Sequence, residues 1–214
     1  MTSIKKVIEI GSLVILALLF LVPMGVSAQT PVWPETDQIY YLPYQYGFTS
    51  LCGQGNYGTL SHEDLNKAAV DFLMPIGTNI VAARSGTVVA VITSNKRTLL
   101  NYFTCPNNEI IVRHDDNSYA RYVHLAYDTN PQVHVGQYVM RGQFLAYSGN
   151  SGNSIVPHLH FEVYSLNGSG QPQYMIARFV DIISNNGIPT FGKFYTSGNV
   201  LGGVSVKISV SVMN

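Results

Sequence analysis

Short runs of β-branched and apolar residues, each bounded by glycine or another turn former, recur along the middle of the chain. The runs are Asn79–Ala83, Gly86–Thr93, Glu109–His114, Ser118–His124, Gln143–Tyr147 and His160–Tyr164. They have the length of strands rather than helices. Val88, Ala90 and Ile92 alternate with Val89, Val91 and Thr93, so both faces of that strand are expected to be covered. Gly77, Gly86, Gly136, Gly142, Gly149 and Gly152 punctuate the runs. Only Glu63–Val70 has a helical look, and it is short. The pattern predicts an all-β fold, a compact antiparallel sandwich or barrel-like core with little helix.

A weak internal echo supports this. Pro75 to Val89 sets a glycine turn (Gly77), an apolar stretch and a second glycine turn (Gly86) before a strand. His134 to Leu145 repeats the order with Gly136 and Gly142 over a shorter span. Two copies of one strand–turn–strand unit would build a β core. Val204–Val212 alternates cleanly and reads either as a last strand or as a loosely attached tail. Residues 29–50 are rich in Pro, Tyr and Gln, and read as an extended lead-in that docks by aromatic packing. An aromatic strip for substrate is the sharper alternative.

The first 28 residues read as an export signal. Lys5 and Lys6 precede an apolar run from Ile10 to Val22, then Pro23 and Gly25, then the small-residue pattern Val26-Ser27-Ala28. The run is shorter than the roughly 20 residues a spanning helix needs, so no stable membrane anchor is expected after cleavage behind Ala28. A secreted or periplasmic chain follows. The expected organisation is residues 1–28 as signal peptide, 29–52 as lead-in, 53–184 as the main folded domain and 185–214 as C-terminal extension.

Composition narrows the partners. The chain has 214 residues, 46% of them apolar and only 11% charged, with formal net charge +0. It is long enough for one domain with appendages and apolar enough for a proper core. There is no basic footprint for nucleic acid. In an oxidising compartment, Cys52 and Cys105 are expected to form one disulfide closing a loop of about fifty residues.

Histidine placement carries the chemistry. His158 and His160 stand two apart in Pro157-His-Leu-His-Phe-Glu-Val163, so in a strand both project from one face. His62 precedes Asp71 by nine residues, and Asp71 is flanked by Val70 and Phe72. A carboxylate in such a run needs a cation or strong donors, from a metal or an arginine. His124 is embedded in Ala120-Arg-Tyr-Val-His-Leu125. A β core could bring these separated groups to one mouth. Neither a His-Glu-x-x-His helix nor a Gly-x-Ser-x-Gly elbow occurs, which removes two common hydrolase templates.

Taken jointly, these residues resemble the lysostaphin-type (β-lytic) zinc metalloendopeptidases, which cleave peptide bonds in bacterial peptidoglycan. The resemblance rests on Ser61-His62 through Val70-Asp71-Phe72, on Gly77-Thr78 leading to Ala82-Ala-Arg-Ser-Gly86, and on Tyr122-Val-His124-Leu. Gly136 with Gly142-Gln143, Ser148-Gly-Asn-Ser-Gly152 and His158-Leu-His160-Phe-Glu-Val complete it. It covers about residues 53–165. The usual first motif is His-x-x-x-Asp, and here Lys67 stands where that histidine would be. The wider His62 spacing is similar to a variant within the family. Carried over by position, the resemblance implies one Zn²⁺ held by His62, Asp71 and His160, with His124 and His158 as non-ligand catalytic histidines. Two imidazoles and one carboxylate leave such a site net positive, the condition for acidifying water and polarising a carbonyl. His114 and His134 fit no motif. His114 reads as solvated or paired, and His134 as exposed.

The implied function is a secreted zinc metalloendopeptidase hydrolysing the cross-linking peptides of peptidoglycan. Other readings stay open. A non-catalytic regulatory or binding module could use the same scaffold, and elemental analysis for zinc separates it. A secreted protease with the same site could act on other proteins. The echoed units also resemble lipoyl-like hybrid motifs of carrier and phosphotransfer domains, but no lysine sits in a suitable hairpin turn.

Overall fold

Strands form where the period-two pattern is strongest. The computed structural model describes residues 39–58, 62, 68–98, 101 and 104–202. Its strands are β1 (Thr49–Gln54), β2 (Val70–Leu73), β3 (Asn79–Val81), β4 (Gly86–Ile92), β5 (Glu109–Arg113) and β6 (Ser118–Val123). They continue as β7 (Tyr138–Val139), β8 (Phe144–Tyr147), β9 (His158–Leu166), β10 (Pro172–Met175) and β11 (Phe194–Thr196). Among the described residues the only helical element is a 3₁₀ turn at Asn185–Gly187. All strand pairings are antiparallel. The main sheet runs β11-β1-β2-β9-β6-β5-β4-β7, with β10 also paired to β9, while β3 and β8 form a separate ribbon.

Central strand β9 sorts the two faces. Leu159, Phe161 and Val163 point to one side; His158, His160 and Glu162 point to the other. Residues directly opposite on paired strands share a face. Val70 and Tyr122 both oppose Phe161, Phe72 opposes Leu159, and Ala120 opposes Val163. Val88, Val112 and Ile110 extend this face across β4 and β5. All of these side chains are fully buried. Each large one contributes about 1.5–3 kcal/mol by leaving water.

The lead-in covers that face together with the ribbon. Tyr40, Leu42 and Tyr44 are fully buried, as are Ile80 of β3 and Leu145 of β8. Tyr44 packs edge-on to Phe72 at 5.4 Å, and Tyr40 to Phe161 at 6.4 Å. Their hydroxyls are satisfied by Tyr195 O at 2.9 Å and Ser118 Oγ at 2.8 Å. These tyrosines are therefore core, which corrects the alternative that they offer substrate an aromatic strip. β1 runs across the expected boundary between lead-in and domain.

The internal echo has a structural meaning. Each unit's first strand pairs with the other unit's second: β3 with β8, and β7 with β4. A two-stranded hairpin alone is marginal in water, and cross-pairing embeds both units in one core. The turn glycines correspond too, Gly77 and Gly136 having φ of 90° and 88°, values that favour glycine. Gly77 N donates to Ser148 O and Gly136 N to Val88 O, at 2.9 and 2.8 Å.

Other expectations change. Of the short helix expected over 63–70, residues 63–67 lie outside the described residues, and Val70 instead opens β2. The signal segment 1–28 and the alternating stretch 204–212 also lie outside them, whereas β11 does join the C-terminal region to β1. The expected disulfide is absent: Cys52 and Cys105 are both free thiols. Cys52 lies on β1 and Cys105 in the segment leading into β5, with β2, β9 and β6 between those strands.

His134 is exposed as expected, and of the two readings of His114 the paired one holds, with the ring buried. Its Nδ1 lies 2.9 Å from Ser85 O, and its ring meets Tyr40 edge-on at 5.4 Å. Burial, aided by the nearby Arg84 charge, pushes its pKa down to about 4. An unfolded chain takes up this proton near pH 6.5, the folded one only near 4. Between those values the unfolded state binds more protons, so acid erodes stability by roughly 3 kcal/mol across the window. His114→Asn, which keeps a donor toward Ser85, is expected to flatten the acid limb of stability in urea titrations from pH 6.5 to 4. An unchanged slope would remove His114 from the acid response.

Candidate metal centre

The face of the sheet opposite the core carries a polar band. It exists because β9 puts His158, His160 and Glu162 on the side away from Leu159 and Phe161. Register then adds its neighbours. Asp71 stands directly opposite His160 on β2, Gln54 opposite Asp71 on β1, and Arg121 opposite Glu162 on β6. Val70 and Phe72 bury on the core side, which turns the Asp71 carboxylate to the polar side.

His62 arrives from the segment between β1 and β2. Asn56 Nδ2 ties that segment to Ala68 O at 2.6 Å, and Gly58 passes over the Gln54 side chain, where a Cβ would meet Gln54 Cγ at 2.0 Å. His62 Nδ1 lies 2.9 Å from Gly55 O. A carbonyl only accepts, so Nδ1 carries the proton and a neutral His62 presents Nε2 as a lone pair. Nε2 is buried, lies 3.2 Å from Asp71 Oδ2, and makes no hydrogen bond. Two acceptors face one another, an arrangement that calls for a cation between them.

His160 Nδ1 stands 3.0 Å from Asp71 Oδ1. One donor atom each from His62, Asp71 and His160 lies within 4.8 Å of the others. Two imidazoles and a carboxylate are the donor types zinc favours, with one position left for water or substrate. The orphaned His62 Nε2 and this donor set fit a zinc ion. Asp71 is nearly buried, and burial alone would raise its pKa. The His160 imidazole, hydrogen-bonded to Oδ1, is the largest influence outweighing burial, and it holds the carboxylate well below its usual range. Burial likewise opposes charge on His160, but Asp71 and Glu162 raise its pKa to about 9.

His124 and His158 complete the cluster. His158 Nδ1 lies 2.8 Å from Val156 O and 3.1 Å from Ser154 Oγ, and its Nε2 is 3.6 Å from Asp71 Oδ1. His124 lies one residue beyond β6. Val123 opposes His160, so a continued strand would send His124 into the core. Instead His124 adopts φ 64°, a left-handed conformation uncommon outside glycine. That twist brings its ring to 4.5 Å from His158 and 5.9 Å from His160, centroid to centroid. Its Nδ1 meets Ser151 O at 2.7 Å. The loop supplying that carbonyl is pressed close, since a Cβ on Gly149 would stand 2.6 Å from Leu125 and Ala126 backbone. Burial, with the neighbouring imidazoles His158 and His160, pushes the His124 pKa down to about 3. Burial lowers His158 as well.

All five histidines and carboxylates singled out in the sequence thus meet in one cluster; His114 and His134 lie outside it. The sequence reading passed over Gln54, whose Nε2 donates to Asp71 Oδ2 at 3.1 Å. It also passed over Glu162, Arg121 and Ser151. Glu162 had a legible signal, standing two residues past His160 on the same face. Ser151 stands in the Ser148–Gly152 motif without a role of its own there, and Gln54 and Arg121 had no signal, because strand order brings them in. Beside the cluster opens a cleft of about 600 Å³ lined by Ile76, Lys96, Leu125, Tyr127, Asn150 and Ser151, among others.

Comparison with known proteins gives the family. A family model described as peptidase family M23 matches residues 66–173, about half of the chain. Asp71, His124, His158 and His160 fall inside the match, and His62 precedes it. The peptidoglycan DD-endopeptidase ShyA of Vibrio cholerae is 39% identical over 93 residues, 44% of this chain and 19% of that protein. Lysostaphin of Staphylococcus simulans is 37% identical over 93 residues, 44% of this chain and 17% of that protein. The matched region thus spans less than a fifth of these curated relatives. The solved catalytic domain of the antimicrobial peptidase lysostaphin from Staphylococcus simulans is 32% identical, covering 61% of this chain and 88% of that one, with a TM-score of 0.41.

Proposed function

The chain belongs to peptidase family M23, and on that premise we propose that it is an exported zinc metalloendopeptidase cutting the cross-linking peptides of bacterial peptidoglycan. The observation that carries this is the cluster itself: three donor atoms within 4.8 Å, flanked by two further imidazoles. His62, Asp71 and His160 would hold the ion. Bound there, zinc supplies a Lewis acid that polarises the scissile carbonyl and lowers the pKa of water.

The remaining chemistry belongs to His124 and His158. Each donates Nδ1–H to a backbone carbonyl, so each neutral ring offers Nε2 as a proton acceptor. Burial keeps both rings neutral at pH 7. One Nε2 can take the proton of the attacking water, and a protonated ring can return it to the leaving amine. A protonated ring also donates to the developing oxyanion. The neighbouring cleft, with Ser151 shared between its wall and His124, suits an extended peptide. Export is read from Lys5 through Ala28 alone.

The test is a digest of purified peptidoglycan, with fragment mass analysis and a chelator arm. New amino termini at cross-linking peptides are expected, lost on chelation and restored by zinc. Cleavage of a protein substrate with intact peptidoglycan would move the assignment to a general protease. No cleavage by a zinc-loaded chain would favour a binding module.

A further inference from the structure

We propose that Glu162 is a positioning residue that fixes which nitrogen of His160 faces the metal centre. The inference rests on the metallopeptidase reading. The Glu162 carboxylate is fully buried, and an isolated buried charge is costly. One of its oxygens, Oε1, accepts from Arg121 at 2.8 Å. The other, Oε2, stands 3.5 Å from His160 Nε2. Arg121 is itself held from behind, donating Nε–H to Glu109 Oε2 at 3.0 Å. Glu109, Arg121, Glu162 and His160 thus form a chain across β5, β6 and β9, ending on a ring whose other nitrogen faces Asp71.

The chemistry of the links gives the chain a direction. Arginine only donates and a carboxylate only accepts. Both neighbours of the ring are carboxylates that only accept, Asp71 at Nδ1 and Glu162 at Nε2. With a metal ion shared between Asp71 and Nδ1, Nε2 is the nitrogen that keeps the proton of a neutral His160, and Glu162 Oε2 accepts it. Its lone pair is then on Nδ1, the nitrogen 3.0 Å from Asp71. The opposite tautomer would aim an N–H at the metal centre and a lone pair at a carboxylate. Outer partners of this kind set the tautomer and orientation of metal-binding imidazoles, and their loss typically costs about 10–100-fold in metal affinity.

Glu162→Gln separates this role from packing, because the two side chains match in shape. Arg121 would claim the amide oxygen, leaving the amide N–H₂ toward His160 Nε2. Nε2 must then accept, and the proton moves to Nδ1. The full chain is compared with this variant by zinc titration against a chromophoric chelator, near-UV circular dichroism and long-range ¹H–¹⁵N spectra of the histidines. The expected result is about 10–100-fold weaker zinc binding with unchanged circular dichroism. In the unaltered zinc-loaded chain, the His160 proton is expected on Nε2. That measurement needs no variant and decides the matter even if Glu162→Gln does not fold. Wild-type zinc affinity in a folded Glu162→Gln chain, or a proton on Nδ1 of the unaltered chain, would overturn the proposal and leave the metallopeptidase reading standing. An unaltered chain that binds no zinc would overturn both.

Discussion

His160→Ala is expected to leave a chain that retains no stoichiometric zinc after dialysis and hydrolyses peptide bonds at the uncatalysed background. The reason is the donor count. The cluster offers one atom each from His62, Asp71 and His160, and a catalytic zinc site needs three protein donors to hold the ion while leaving a position free. The nearest substitute is His158, whose Nε2 is 3.6 Å from Asp71 Oδ1. Its Nδ1 is tied to Val156 O, which restrains the ring from moving into the gap. The substitution also removes a partner from the buried Asp71 carboxylate, at a cost of about 1–3 kcal/mol, so folding is checked alongside. Elemental analysis and the peptidoglycan digest provide the readouts. Full metal content together with full rate would show that His160 is no ligand.

His158→Ala is expected to do the opposite: keep zinc and lose turnover by about 10²–10⁴-fold, the usual worth of a positioned acid–base group. His158 stands outside the three-donor group, so metal content should equal that of the unaltered chain. The loss should fall on kcat rather than KM, because proton transfer is needed in the transition state and not for peptide binding. His124→Ala should behave alike, and the double variant should lose less than the product of the two, since the rings are 4.5 Å apart. The pH response has a definite sign. A base whose pKa is lowered stays neutral further into acid, so His124, pushed down to about 3, should not limit the rate as pH falls from 7 to 6, and burial shifts His158 in the same direction. Acid loss of activity should instead track zinc release as ligand imidazoles protonate, below about pH 5.5. Zinc loss of His158→Ala equal to that of His160→Ala would make His158 a ligand.

Much of the site was readable along the chain where the information is local. The His158/His160 parity follows from the two-residue period of any strand, and the alternating Leu159, Phe161 and Val163 identify the buried side. The six strand runs match β3, β4, β5, β6, β8 and β9 within a few residues. β7 carries too few residues for a period to show, and β10 and β11 lie in stretches rich in Gly, Ser and Gln where the apolar pattern is broken. β2 was misread at its start, since Ala68-Ala69-Val70 continues the apolar spacing of the preceding segment until pairing with Phe161 of β9 claims Val70.

By itself, then, the amino-acid order determined an all-β chain, a duplicated strand–turn–strand unit, and which side of β9 each histidine takes, because side-chain alternation is a property of the local backbone. Only the tertiary structure decided that Asp71 opposes His160, that His124 leaves its strand with φ 64°, that Arg121 backs Glu162, and that Cys52 and Cys105 stay apart. Register and strand order arise from burying Tyr40, Phe72, Phe161 and their partners together, a sum over residues distant in sequence that no short window contains.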